Sequence, residues 1–282
     1  MRDDKVIFTF ESNGEKLIFD GTDYGILNYD GLESTEYELE VQNNINDCGG
    51  TMKKKRILPR PISIEFEYRG KDKSGTRQKL IKFFSPYRFG ILTVGFLGVE
   101  RKIEYEVSGT FGFKNKNIHY PLTGLLELVC MDPMFYDTIQ TGERISTWIN
   151  GWKWPFKLPF KLKQRGESKK NIINSGDVET PVEIQFHGPA VNPKITNLTT
   201  GEFIRVKREL TTDDTLYINT AFGKKKVEII RNGVSEDAFD YIDLASSFFS
   251  LQVGDNVIEY STENDLDPQS VAIYYYNRYI GV

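Results

Sequence analysis

Alternation of apolar and polar residues dominates this chain. Residues 37–41, Tyr-Glu-Leu-Glu-Val, are strictly two-periodic, and residues 62–68, Ile-Ser-Ile-Glu-Phe-Glu-Tyr, repeat the pattern. Period two sends successive side chains to opposite faces. Each run therefore predicts a strand with one face on a core and the other in water. Between the runs lie Asp47, Gly49 and Gly50, then Lys53, Lys54, Lys55 and Arg56, then Pro59 and Pro61. That stretch predicts a turn or long loop, with Pro61 at a strand start or on an edge. One helix follows. Ser74 is its expected N-cap, residues 76–84 its body, and Pro86 its stop; Leu80, Ile81, Phe83 and Phe84 form its apolar stripe. Strands are expected again at 91–97, 102–107 and 125–129. Cys130-Met131-Asp132-Pro133 closes a first domain, residues 1–138, of α+β type with β predominating.

The pattern changes near residue 140. Trp148, Trp152, Trp154, Phe156 and Phe160 crowd together with Pro155, Pro159 and several lysines, and polar residues 164–170 follow. We read 139–168 as a connecting segment and the remainder, to 282, as a second domain. Short apolar-polar runs recur there at 182–186, 203–207, 215–219, 226–230, 256–261 and 271–276. Turn formers punctuate them: Asn192-Pro193, Thr200-Gly201, Asp213-Asp214, Asn232-Gly233 and Gly254-Asp255-Asn256. Regular short strands with such punctuation predict a sandwich or jelly roll, so the chain as a whole is expected to be mainly β.

Composition narrows the partners. The 39% hydrophobic and 27% charged residues suit a folded chain with a real core. A net charge of −4, from 36 basic and 40 acidic residues, lacks the basic excess of non-specific nucleic-acid binding. No run approaches the roughly 18 apolar residues that span a bilayer. Met1-Arg2-Asp3-Asp4-Lys5 lacks the apolar stretch of a signal peptide, which suggests synthesis in a cytoplasm-like compartment without a cleaved leader. Cys48 and Cys130 sit in no CxxC and are expected to be small buried hydrophobes.

Catalytic and ligand motifs are sparse. The two histidines, His119 and His187, are far apart, and neither an HxxxH nor a calcium-loop pattern occurs. No GxxxxGK[ST], no GxGxxG between strand and helix, and no GxSxG is present. The expectation is a non-enzyme with no metal and no cofactor. Two features stand out as partner-interface candidates. Lys53, Lys54 and Arg56 form either a protrusion toward an acidic partner or nucleic acid, or a solvated loop that discourages edge pairing. Trp148, Trp152 and Trp154 are a clamp between domains, a protein-binding anchor or a sugar-stacking platform. The last option keeps a carbohydrate-binding module for host-surface recognition as the alternative reading.

The order of these features resembles the distal tail proteins of phages with long non-contractile tails. Gly31-Leu32 precedes the first alternating strand. Asp47, Gly49 and Gly50 precede Arg56 and the strand from Pro61. Phe83-Phe84-Ser85-Pro86 is followed by Gly90-Ile91-Leu92-Thr93-Val94, then Arg101-Lys102-Ile103-Glu104-Tyr105-Glu106-Val107, then Asp132-Pro133-Met134-Phe135-Tyr136. In the second half, residues 174–181 (NSGDVETP), Gly188-Pro189, residues 197–203 (NLTTGEF), Gly254-Asp255-Asn256 and Tyr279-Ile280-Gly281-Val282 continue it. The resemblance covers nearly the whole chain. It implies an N-terminal domain of sheets and one helix that assembles into a hexameric ring, and a C-terminal sandwich like galectins or carbohydrate-binding modules. It implies as partners the tail-tube protein, the tail-tip hub protein and, in some members, receptor-binding proteins on the sandwich. DNA passes through the ring without being read. The implied place is the tail tip of a virion assembled in the host cytoplasm. The family carries no catalytic residues, so none are transferred.

Overall fold

The structure is a computed structural model that describes residues 5–43, 48–109, 111–114, 120–146, 148–150, 163–165, 168–263 and 268–282. Two units divide the chain. Unit 1 holds 1–138 together with 279–282, and unit 2 holds 139–278. The last four residues, expected with the second domain, thus belong to the first.

Unit 1 is built on strands β1 (Ile7–Ser12), β2 (Glu15–Phe19), β3 (Tyr24–Asp30), β4 (Tyr37–Asn43), β5 (Gly50–Ile57), β6 (Arg60–Tyr68), helix α1 (Lys73–Phe83), β7 (Phe89–Phe96), β8 (Val99–Val107), β9 (Gly112–Phe113), β10 (Leu122–Cys130) and β11 (Phe135–Asp137). The main sheet runs β2-β1-β7-β8-β10-β6-β3, antiparallel throughout. Alternation does what the sequence predicts on β6, where Ile62, Ile64, Phe66 and Tyr68 are buried and Ser63, Glu65 and Glu67 are not. Pro61 lies beyond the reach of β3, whose pairing with β6 ends at Asp30 and Ser63, so its missing N–H costs no ladder bond there. The core is aromatic. The Phe19 ring on β2 is 4.8 Å from Phe66 on β6, so the two ends of the sheet curl toward each other around Phe8, Phe10 and Phe84.

The helix begins earlier than Ser74 suggested. Asp72 is the N-cap, and its carboxylate accepts a 2.9 Å hydrogen bond from the Gly75 N–H. A carboxylate also suits the positive end of the helix, and it displaces Ser74 into the first turn. Leu80, Phe83 and Phe84 reach the core, whereas Ile81 is 40% exposed.

Unit 2 comprises β12 (Thr141–Ser146), β13 (Trp148–Asn150), β14 (Lys163–Arg165), β15 (Lys169–Asn174), β16 (Thr180–Pro181), β17 (Glu183–His187), β18 (Ala190–Asn197), β19 (Glu202–Arg205), β20 (Glu209–Leu210), β21 (Asp214–Asn219), β22 (Lys226–Arg231), β23 (Val234–Asp237), β24 (Ser250–Leu251), β25 (Gly254–Glu263) and β26 (Ser270–Tyr275). One sheet runs β12-β26-β17-β21-β22-β23 and a second runs β15-β25-β18-β19, with β20 on β18. Ile184, Phe186, Leu216, Ile218 and Ile273 from the first sheet share one core with Ile172, Ile195, Ile204 and Ile258 from the second. That is a β-sandwich. The expected connecting segment is structured at its start: Thr141–Ser146 is an edge strand paired with β26 from Thr141↔Tyr275 to Ser146↔Ser270. The fold class is mainly β, and α1 is the one α-helix among the described residues.

Candidate partner interface

Lys53, Lys54 and Arg56 lie on a strand, not in the loop the sequence suggested. β4 and β5 form an antiparallel hairpin of their own, hydrogen-bonded to neither main sheet. The polar run extends because it has a matching partner strand. Glu38 stands opposite Arg56, and Glu40 opposite Lys54. Opposite charges facing each other across a ladder each contribute a few tenths of a kcal/mol, on the order of 0.2–1. The register shifts between Glu40 and Val41, and this bulge admits Lys53 without a cross-strand partner. The bulge also keeps apolar residues together. Tyr37, Leu39 and Val41 share a face with Ile57, Lys55 and Met52, and Lys55 Nζ lies 4.4 Å from the centre of the Tyr37 ring.

Every residue of both strands is exposed. Tyr37, Leu39, Val41, Met52 and Ile57 are between 46% and 61% exposed. A lone two-stranded hairpin is marginal in water, and a contiguous exposed apolar face marks an interaction site. The hairpin therefore has one exposed apolar face and one exposed charged face. Cys48, expected to be buried, is exposed just before β5, a strand exposed along its whole length; Cys130 is buried, and neither cysteine is in a disulfide.

The tryptophan candidates belong to the other unit. Trp148 begins β13, where it pairs with Arg165. Trp152 and Trp154 lie outside the described residues. The structure thus places the cationic candidates and Trp148 in different units.

Two features escaped the sequence reading. The solvent face of the unit 1 sheet is acidic: Glu11, Glu100, Glu104, Glu106 and Glu127 are all exposed on it. Those carboxylates are the polar half of the alternation, so their common face becomes legible once strand order is known. In unit 2, Phe222 is 97% and Leu244 is 102% exposed, and the partly exposed Phe239 stacks on Phe248 with ring centres 5.8 Å apart. A phenylalanine in a turn, followed by Gly223, was the available signal.

Two titratable groups are shifted by burial in the scaffold. His187 Nδ1 meets Thr215 Oγ1 at 2.9 Å, and burial pushes the imidazole below its ordinary pKa. Burial pushes the Cys130 thiol up to about 12, which keeps it protonated and a poor nucleophile. Among the described residues, no three His, Cys, Asp or Glu side chains are grouped to hold a metal ion. No described helix is long and apolar enough to cross a membrane.

Comparison with known proteins bears on the fold. Residues 175–279 match the model of the siphovirus-type tail component, C-terminal domain. Among solved structures, the chain is similar to SPP1 Dit (gp 19.1), described as a paradigm of the hub adsorption apparatus in phages infecting Gram-positive bacteria. The identity is 13%, the TM-score 0.68, and the alignment covers 95% of this chain and 98% of that one. It is also similar to a chain of the phage P2 baseplate in its activated conformation with calcium, at 11% identity and TM-score 0.59, covering 97% and 98%. At these identities the likeness establishes a shared fold over both units. No curated protein sequence matches the chain.

Proposed function

We infer that the chain is a Dit-like distal tail protein, a structural component of the hub at the tip of a siphovirus-type tail. The observation that supports this most is coverage. One fold relative spans 95% of this chain and 98% of its own, and the family match falls independently on the sandwich. We propose further that the role is structural and not enzymatic, and that unit 1 assembles into a hexameric ring. In that ring the β4–β5 hairpin of each copy lies on the next. A ring needs a heterologous contact, in which one surface patch meets a different patch on the neighbouring copy. The hairpin suits it: an amphipathic projection that buries its apolar face only against something else. The acidic solvent face of the main sheet suits the channel side, since like charge keeps DNA from adhering as it passes. The tail tube and the tail-tip protein are the proposed neighbours above and below, and the galectin-like sandwich is the proposed seat for receptor-binding proteins.

Leu39→Asp tests the hairpin. The site is exposed, so monomer stability is expected to change by no more than about 0.5 kcal/mol. Higher-order assembly, followed by light scattering and negative-stain imaging, is expected to disappear. Rings that persist with Asp at position 39 would rule out this face as the subunit contact.

A further inference from the structure

Arg60 opens β6 and is 1% exposed. A guanidinium stays charged and needs partners wherever it is buried. All four of its hydrogen bonds go to backbone carbonyls. Nε donates to Pro133 O at 2.7 Å, Nη1 to Gly31 O at 2.7 Å and to Ser34 O at 3.4 Å, and Nη2 to Ile280 O. Its flat face lies 4.9 Å from the centre of the Phe135 ring. Burial lowers its pKa, as expected for a cation held by dipoles alone.

The same few residues at the far end of the sequence are gripped again nearby. Arg101 donates to Gly281 O, and its guanidinium lies 3.6 Å from the Tyr279 ring centre. The Val282 N–H donates to Leu32 O at 3.0 Å. Tyr279 and Val282 pack against the unit 1 core. Gly281 is seated so closely that a Cβ there would lie 2.0 Å from Glu33 O. An exposed tail would have no use for a buried cation or for a seat that excludes a methyl group.

We propose that Tyr279–Val282 form a strap that completes unit 1, with Arg60 as its buried latch. The strap is translated after all of unit 2, so unit 1 reaches full stability only in a chain that has been made past residue 278. Unit 2 is consequently fastened to unit 1 through two chain crossings, at 138–139 and at 278–279.

Full-length protein tests this by hydrogen exchange and scanning calorimetry on two variants, a deletion of 280–282 and Gly281→Ala. Both are expected to raise exchange in β6, β8 and segment 31–34 while leaving β17 and β21 as protected as before. The unit 1 transition is expected to fall by roughly 5 °C or more. Should the deletion prevent folding altogether, Gly281→Ala carries the test, because it removes neither charge nor chain. Wild-type exchange of unit 1 in Gly281→Ala would overturn the proposal, and so would a loss of protection confined to unit 2.

Discussion

Asp214 shows how a single charged residue holds the sandwich. It begins β21 and its side chain is 1% exposed. Arg231 meets it with a fork, Nε to Oδ1 at 2.6 Å and Nη2 to Oδ2 at 2.8 Å. The Thr211 N–H and hydroxyl donate to Oδ2 at 2.7 and 2.8 Å. The Arg231 hydrogen bond, with help from Thr211, holds the carboxyl well below its usual range, against the opposing effect of burial. Arg231 is 59% exposed, so water screens its Coulombic share and the hydrogen bonds carry most of the effect. A carboxyl whose pKa falls on folding contributes its stability above the unfolded value, near 4. That contribution is lost as pH drops toward the folded value. Asp214→Asn is accordingly expected to cost roughly 1–3 kcal/mol at pH 7. It should also flatten the loss of unit 2 stability between pH 5 and about pH 2. Thermal melts at several pH values check both, and a variant as acid-sensitive as the parent would refute the assignment.

At the scale of elements, α1 is held by what it buries. Phe84, just past its last turn, is 1% exposed and meets Phe10 at 5.2 Å, Phe83 at 5.0 Å and Phe111 at 5.3 Å between ring centres. Phe84→Ala is expected to cost about 3–5 kcal/mol, read by urea unfolding of the whole chain. A cost below about 1 kcal/mol would mean the helix is not docked on this core. The helix and most long strands were legible because their periods persist over several residues. The two short strands at the start were not, although Phe8 and Phe10 alternate on β1 and Asn13-Gly14 has the positive φ values, 50° and 78°, of the tightest hairpin turn. The hairpin strand β5 was hidden for another reason. Its lysines read as loop, because pairing with Glu38 and Glu40 is a property of register and not of local sequence. Arg60 carries no local signal of its burial in the sequence. Its burial depends on carbonyls contributed by residues as distant as Ile280.

The whole molecule joins two independently built cores on one chain, and its proposed work is to connect. Unit 1 presents an amphipathic hairpin and an acidic sheet face, and unit 2 presents a sandwich with Phe222 and Leu244 in the open. What the sequence conveyed at this scale came from the order of its motifs along 282 residues. The surfaces proposed to do the connecting needed the strand order to appear. The most direct test of the proposed role is electron microscopy of tailed particles purified from the organism that encodes the chain, labelled with gold-tagged antibodies against it. A structural hub protein predicts label confined to the distal end of the tail, at a fixed small number of copies per particle. Particles with no label at the tail tip, or with label on the capsid, would contradict the account.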